Sequence, residues 1–292
     1  MRVWPAHGSQ QRDDPGAFSS YTNMKIIRHL DTFGKLAFAR QLEDGTAEEL
    51  SGELMDGLKP TGRTSHVAKV LAPLAPQSFF CTGLNYRKHA EETRLRIPSF
   101  PVLFMKSPAA VQNPCDPIEI PRHLASHEVD YEAELAVIIG RKAKNVRRED
   151  ALDYVLGYAC SNDVSARDWQ IKHGAGQWCR GKTFDTFAPL GPWIVTPEEV
   201  PDPNALSIRT LLNGQTMQDS HTSDMIFDVP SLIEFFSGST TLVPGTVILT
   251  GTPSGVGLAR KPPVFLQPGD IVAVEIEKLG CLTNPVVLEP ES

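Results

Sequence analysis

Glu132 and Glu134 stand two residues apart in the stretch Glu128-Val129-Asp130-Tyr131-Glu132-Ala133-Glu134-Leu135-Ala136-Val137-Ile138-Ile139-Gly140. In a strand, residues two apart point the same way and lie roughly 6–7 Å apart along the backbone. The two glutamates would share a face with Asp130, Ala136 and Ile138, and Tyr131, Ala133, Leu135, Val137 and Ile139 would take the other. Two carboxylates entering a partly buried site repel each other unless a cation or a shared proton lies between them. Asp163 offers a third acid, just after the strand-like run Gly157-Tyr158-Ala159-Cys160-Ser161-Asn162. Three carboxylates plus waters suit Mg²⁺, Mn²⁺ or Ca²⁺ rather than zinc. The same acids also fit a solvated sheet face with Asp163 capping a turn, and alternation alone does not decide between the two.

Three further groups could do chemistry. His89 and Glu92, in Asn85-Tyr86-Arg87-Lys88-His89-Ala90-Glu91-Glu92, are three apart and become neighbours on a helix. A carboxylate on one imidazole nitrogen fixes the tautomer and makes the other nitrogen a better base; a plain charged surface helix has the same pattern. Lys182, in Trp178-Cys179-Arg180-Gly181-Lys182-Thr183-Phe184-Asp185, is flanked by glycine and apolar residues. Drawn inward, it could neutralise an enolate or carboxylate; left in a loop, it is solvated. Gly251-Thr252-Pro253-Ser254-Gly255-Val256-Gly257 has neither phosphate-loop nor dinucleotide spacing. It reads either as a turn or as a loop offering N–H groups and the Thr252 hydroxyl to an anion. Gly-x-Ser-x-Gly and His-Glu-x-x-His are absent, so a serine-hydrolase elbow and a zinc protease have no support.

The elements that must position these residues are mostly strands. The chain has 292 residues and is 41% hydrophobic, enough for a large core. Its net charge of -7 argues against a nucleic-acid surface or a polybasic membrane anchor. No run approaches the roughly 18–20 apolar residues of a membrane-spanning helix. Five scattered cysteines without a zinc pattern suggest reduced thiols and a cytoplasmic protein. Residues 1–23 lack periodicity and read as a disordered extension. Residues 24–72 read as a small N-terminal domain of short strands and a small helix, with a turn-rich break at Leu58–Arg63, and residues 73–292 as the main domain. Strands are expected at Phe79–Thr82, Val102–Lys106, Glu132–Ile139, Val155–Cys160, Trp193–Thr196, Ser207–Leu212, Thr246–Thr250 and Ile271–Ile276, and helices at Tyr86–Arg94, Glu149–Val155 and Pro230–Phe236. This is a mainly β fold with some α (α+β), closer to rolled sheets or a barrel than to a doubly wound sheet.

The segments CTGLNYRKHAEE, PVLFMKSP, DYEAELAVIIG, GYACSNDVSARDWQ, GQWCRGKTFDTFAPLGPW, LTGTPSGVG and QPGDIVAVEIEKLG together resemble the fumarylacetoacetate hydrolase family over residues 78–288. The resemblance implies a catalytic domain of rolled β-sheets forming a distorted barrel, usually a homodimer, of the bacterial type with a short N-terminal domain. It implies metal ligands at Glu132, Glu134 and Asp163, holding Mg²⁺ (or Mn²⁺), with water where larger members have a fourth carboxylate. It implies a water-activating dyad at His89 and Glu92 in a lid, an active-site lysine at Lys182, and substrate contacts at Arg167, Gln170 and Thr252. The expected reaction is hydrolysis of a C–C bond in a 2,4-diketo acid, giving a 2-oxo acid such as pyruvate and a second acid. The same site chemistry also serves isomerases and decarboxylases of 2-oxo or 2-hydroxy-diene dioic acids. A metal-stabilised binding protein without catalysis would explain the three acids but not His89, Glu92 and Lys182 together.

Overall fold

The structure is a computed structural model and describes residues 23–291, so the extension expected at 1–23 lies, but for Asn23, outside the described residues. The chain opens with β1 (Lys25–Leu30), β2 (Leu36–Gln41), β3 (Ala47–Glu53), β4 (Gly57–Thr64) and β5 (Lys69–Leu71). There follow β6 (Ser78–Gly83), α1 (Arg87–Thr93), β7 (Val102–Lys106), β8 (Val111–Gln112), β9 (Ile118–Ile120), β10 (Val129–Asp130), β11 (Ala133–Ile139), β12 (Val155–Asn162) and β13 (Ser165–Ala166). A single π-helical turn (Asp168–Lys172) leads to the short α2 (Cys179–Lys182), then β14 (Ala188–Val195), β15 (Ser207–Leu212), β16 (Gln215–His221) and α3 (Val229–Ser237). The chain closes with β17 (Thr246–Leu249), β18 (Ile271–Ile276) and β19 (Gly280–Leu288).

Most strands join one mixed sheet in the order β4-β3-β2-β1-β14-β12-β11-β17-β6-β7. A second sheet, β16-β15-β18-β19-β9, packs across β11, β12 and β14. The rolled, mainly β architecture expected from the sequence is the one observed. In the first 50 described residues two readings are corrected. No helix forms between residues 24 and 72 among the described residues, and Leu58–Arg63 is part of strand β4 rather than a break. Pro60 and Gly62 are tolerated there because β4 is the edge of the sheet, where a missing N–H breaks no inner ladder. The helix expected at Glu149–Val155 is 3₁₀ (Arg148–Tyr154).

Strand β11 lies at the centre of the molecule. Ala133, Leu135, Val137 and Ile139 pack into one core with α3 residues Val229, Leu232, Ile233 and Phe236. Ala136 and Ile138 pack into a second core with Ile26, Leu50, Phe79 and Leu190. Neither face of this strand meets water, and that fixes the fate of the acids at its N-terminal end.

Candidate active site

Register brings the three acids together. β11 and β12 run antiparallel with Ala133 opposite Asn162 and Glu134 opposite Ser161. Asp163, one residue past β12, therefore faces Glu132, and its N–H donates to the Glu132 carbonyl at 2.9 Å. The Asn162 side chain accepts from the Glu132 N–H at 2.9 Å, holding the two strand ends in step. One carboxylate oxygen from each of Glu132, Glu134 and Asp163 lies within 4.8 Å of the others. Their exposures are 5%, 1% and 0%, which rules out the solvated-face reading.

Three cations enter this cluster from three elements. Lys182, on α2, donates to Glu132 Oε2 and Asp163 Oδ2, each at 2.7 Å. A β-carbon on the preceding Gly181 would stand 2.5 Å from the Gln170 N and 2.6 Å from the Ala166 O, so only glycine lets α2 come this close. Lys106, on β7, donates to Asp163 Oδ1 at 2.5 Å and to the Val164 carbonyl at 3.1 Å. Arg167 lies between Asp130 (Nε to Oδ2, 2.9 Å) and Glu132 (Nη2 to Oε1, 2.7 Å) and donates to Gln170 Oε1 at 2.9 Å. Asp130 also accepts from the N–H groups of Gly257 (2.7 Å) and Leu258 (3.0 Å), fastening the glycine-rich loop to the cluster.

These partners divide the carboxylates. Burial pushes Glu132 up, but Lys182 and Arg167 outweigh it and hold the group below the usual carboxylate range. Glu134 goes the other way: burial, Asp163 and Glu132 together push it well above the usual range. Among the described residues no cation contacts it, and it accepts a hydrogen bond from the Gly251 N–H at 2.7 Å. Burial lowers Lys106 more than Asp163 raises it, whereas Asp163 and Glu132 keep Lys182 high. Three hard oxygen donors with one acid lacking a cation partner form a set that fits a divalent ion of the Mg²⁺ class.

The dyad sits above this floor. Asn85 ties the start of α1 to Thr250 O (2.7 Å) and Phe227 O (2.9 Å). Arg94, in the left-handed region at φ 56°, ends the helix. His89 Nδ1 meets Glu92 Oε1 at 2.7 Å, and Glu92 also accepts from the Gly255 N–H (3.0 and 3.1 Å). A carboxylate accepts only, so the Nδ1 proton is held there and Nε2 is left as the basic nitrogen. His89 is near enough to Glu132 to help hold that carboxylate low. Both side chains keep some exposure, 12% and 23%, unlike the sealed acids below.

The family model for the fumarylacetoacetate (FAA) hydrolase C-terminal domain matches residues 78–287. The chain belongs to the fumarylacetoacetate hydrolase family. It is 51% identical over 219 residues to a mitochondrial oxaloacetate tautomerase of Xenopus laevis, covering 75% of this chain and 68% of that protein. Among solved structures it is 40% identical to a 2-hydroxyhepta-2,4-diene-1,7-dioate isomerase from Mycobacterium marinum, with a TM-score of 0.79 over 92% of this chain and 100% of that one. A 5-carboxymethyl-2-hydroxymuconate delta-isomerase from Mycobacterium smegmatis is also 40% identical, with a TM-score of 0.80 over 91% and 100%.

The fold thus brings Glu132, Glu134, Asp163 and Lys182 into direct contact or close approach. Gln170 joins them through Arg167, and Thr252 follows the Gly251 amide that binds Glu134. His89 and Glu92 join through Gly255, in the same loop. The sequence reading gave no role to Lys106 or Gln218, and it aimed the N–H groups of the Gly251–Gly257 loop at a substrate anion, whereas the Gly251 N–H binds the Glu134 carboxylate. Lys106 had a signal: in strand Val102–Lys106 it shares a face with Phe104, and a lysine on the apolar face of a strand needs a buried acid.

Proposed function

We propose that this protein is a divalent-metal-dependent tautomerase or isomerase of 2-oxo dicarboxylic acids, moving a proton between the carbon next to the oxo group and the oxo oxygen. What carries this reading is the pairing of a base of fixed tautomer, His89 held by Glu92, with the buried acids Glu132, Glu134 and Asp163, two of them bridged by Lys182. The relatives' names support proton transfer over the C–C hydrolysis expected from sequence: a tautomerase and two isomerases. Hydrolysis of an acylpyruvate by the same dyad acting on water is the second reading, because an oriented base serves either proton source.

Glu132, Glu134 and Asp163 would hold Mg²⁺ or Mn²⁺. When bound, that ion supplies the charge that polarises the oxo group of a 2-oxo acid. Lys182 keeps two of the ligands in place and adds a fixed positive charge beside the oxygen on which enolate charge grows. His89 Nε2 removes the carbon-bound proton and returns it to oxygen, while Glu92 and the Gly255 N–H hold the ring through the transfer. Thr252 and Gln170 border the site as the substrate contacts. The lid role of α1 rests on its partial exposure and its attachment to the loop through Glu92.

We place the enzyme as a homodimer: the edge strand β7 carries Leu103 (45% exposed) and Met105 (43% exposed) on its outer side, an apolar strip suited to a second copy. Its five thiols are unpaired, which suits the cytoplasm or another reducing compartment such as the one named for the mitochondrial relatives. The test is the loss of enol absorbance of oxaloacetate and of 2-hydroxy-diene dioates, with Mg²⁺ or Mn²⁺ and with chelator. Metal-dependent acceleration supports the proposal. Cleavage of acylpyruvates with no effect on enol decay would replace it by hydrolysis.

A further inference from the structure

Gln218 lies on β16, outside the acid cluster, and is 1% exposed. All four hydrogen-bonding positions of its amide are used. Oε1 accepts from the Ala133 N–H (2.9 Å) and the Thr210 hydroxyl (2.6 Å), and Nε2 donates to the Pro253 carbonyl and to Thr252 Oγ1, each at 2.8 Å. Two partners fix which end is which: a backbone N–H only donates and a carbonyl only accepts, so the amide cannot be turned over.

A consequence falls on Thr252. Its oxygen receives an N–H from Gln218, so its own proton is directed elsewhere. Among the described residues the Thr252 hydroxyl is hydrogen-bonded by Gln218, and Thr252 is 4% exposed. A buried hydroxyl proton without an acceptor costs free energy until a ligand supplies one. The geometry sets this donor beside the cluster. Thr252 follows Gly251, whose amide binds Glu134, and Gln218 is fastened at its other end to Ala133, between the two glutamates.

We infer that Gln218 is a positioning residue that holds the Thr252 hydroxyl as a donor toward an anionic oxygen of the substrate. This rests on the proposed function in one respect, that the ligand is a 2-oxo acid. In Gln218→Glu a carboxylate oxygen replaces the N–H and draws the Thr252 proton to itself, so the hydroxyl no longer serves the ligand.

The experiment is a cycle of Gln218→Glu, Thr252→Val and the double variant, read by KM, kcat and calorimetric affinity for oxalate in the Mg²⁺-loaded protein. Each single variant is expected to raise KM and weaken oxalate about ten- to a hundredfold, with kcat changed much less, because the contact is made equally in ground and transition states. The double variant should be no worse than either single one. Thr252→Ser, which keeps the hydroxyl, should recover most of the Thr252→Val loss, but only with Gln218 present. A merely structural glutamine would lower thermal stability and kcat while leaving KM unchanged. Wild-type KM in Gln218→Glu, or KM effects that multiply in the double variant, would overturn the inference. Should Gln218→Glu not fold, wild-type KM and oxalate affinity in Thr252→Val overturn it equally. Absence of turnover by the wild type bears on the functional reading alone, since oxalate reads the hydroxyl without chemistry.

Discussion

Metal binding should displace a proton from Glu134. The buried cluster holds four carboxylates, Asp130, Glu132, Glu134 and Asp163, against three cations, Lys106, Arg167 and Lys182. Four against three leaves one excess negative charge, and Glu134 is the acid without a cation in contact. Burial, Asp163 and Glu132 push its carboxyl well above the ordinary 4.5, with Lys182 and the Gly251 amide opposing them in part. A proton on Glu134 balances the metal-free cluster, and an incoming divalent ion must remove it. Binding of Mg²⁺ should therefore release about one proton per ion below the raised value. Affinity should rise about tenfold per pH unit there, about 1.4 kcal/mol, and level off above it. The stability of the metal-free protein has the opposite slope. Between 4.5 and the raised value the folded chain binds more protons than the unfolded one, so stability falls as pH rises through that window, by up to about 1.4 kcal/mol per unit. Calorimetry in two buffers of different ionisation enthalpy counts the protons, and Glu134→Gln should abolish the release while weakening binding. A Mg²⁺ affinity that does not rise with pH above the ordinary carboxylate range, with no proton released by the wild type, would falsify the charge count.

His89→Ala should reduce turnover by about 10²–10⁴-fold with Mg²⁺ affinity retained, as measured by enol decay and calorimetry; unchanged turnover would remove His89 from the base role. Lys182→Met leaves Glu132 and Asp163 facing each other without their shared lysine and should cost about 3–5 kcal/mol in metal-free urea unfolding. A loss well under about 1 kcal/mol would mean that the lysine does not bridge them. Gly251→Ala forces a side chain onto φ +95°, with its Cβ 2.7 Å from the Asn85 Cβ. It should cost about 1–3 kcal/mol and weaken Mg²⁺ binding through the displaced amide at Glu134; wild-type values in both measurements would contradict that role.

The metal-ligand candidates were legible because strand alternation and a strand-end aspartate are local signals. Whether they faced water was not, because that depends on two cores closing over β11 from opposite sides, one built from α3 and the other from the N-terminal strands. Pro60 and Gly62 misled for a related reason: they break an inner strand but not the edge position that β4 occupies. Strands β16 and β19 have weak alternation and were passed over, and Gln218 went with β16. Its role arises only when residues 85 and 34 positions away in the chain converge on one amide. Hydrolase and tautomerase were not separable from the residues, because one oriented base can take its proton from water or from carbon.

The loop from Gly251 to Gly257 touches both the buried acids and the dyad through backbone N–H groups, Gly251 to Glu134 and Gly257 to Asp130 on one side, Gly255 to Glu92 on the other. The electrostatic half is locked into the interior by many mutual bonds. His89 and Glu92, the proposed base pair, sit on the short, partly exposed α1, joined to this loop by one amide. Such a division lets inheritance tinker with one part while the other stays in register. On the proposed reading, changes on α1 and the segment after it would alter the proton source, carbon acid or water, without disturbing the buried charges, so reaction type would diversify faster than architecture.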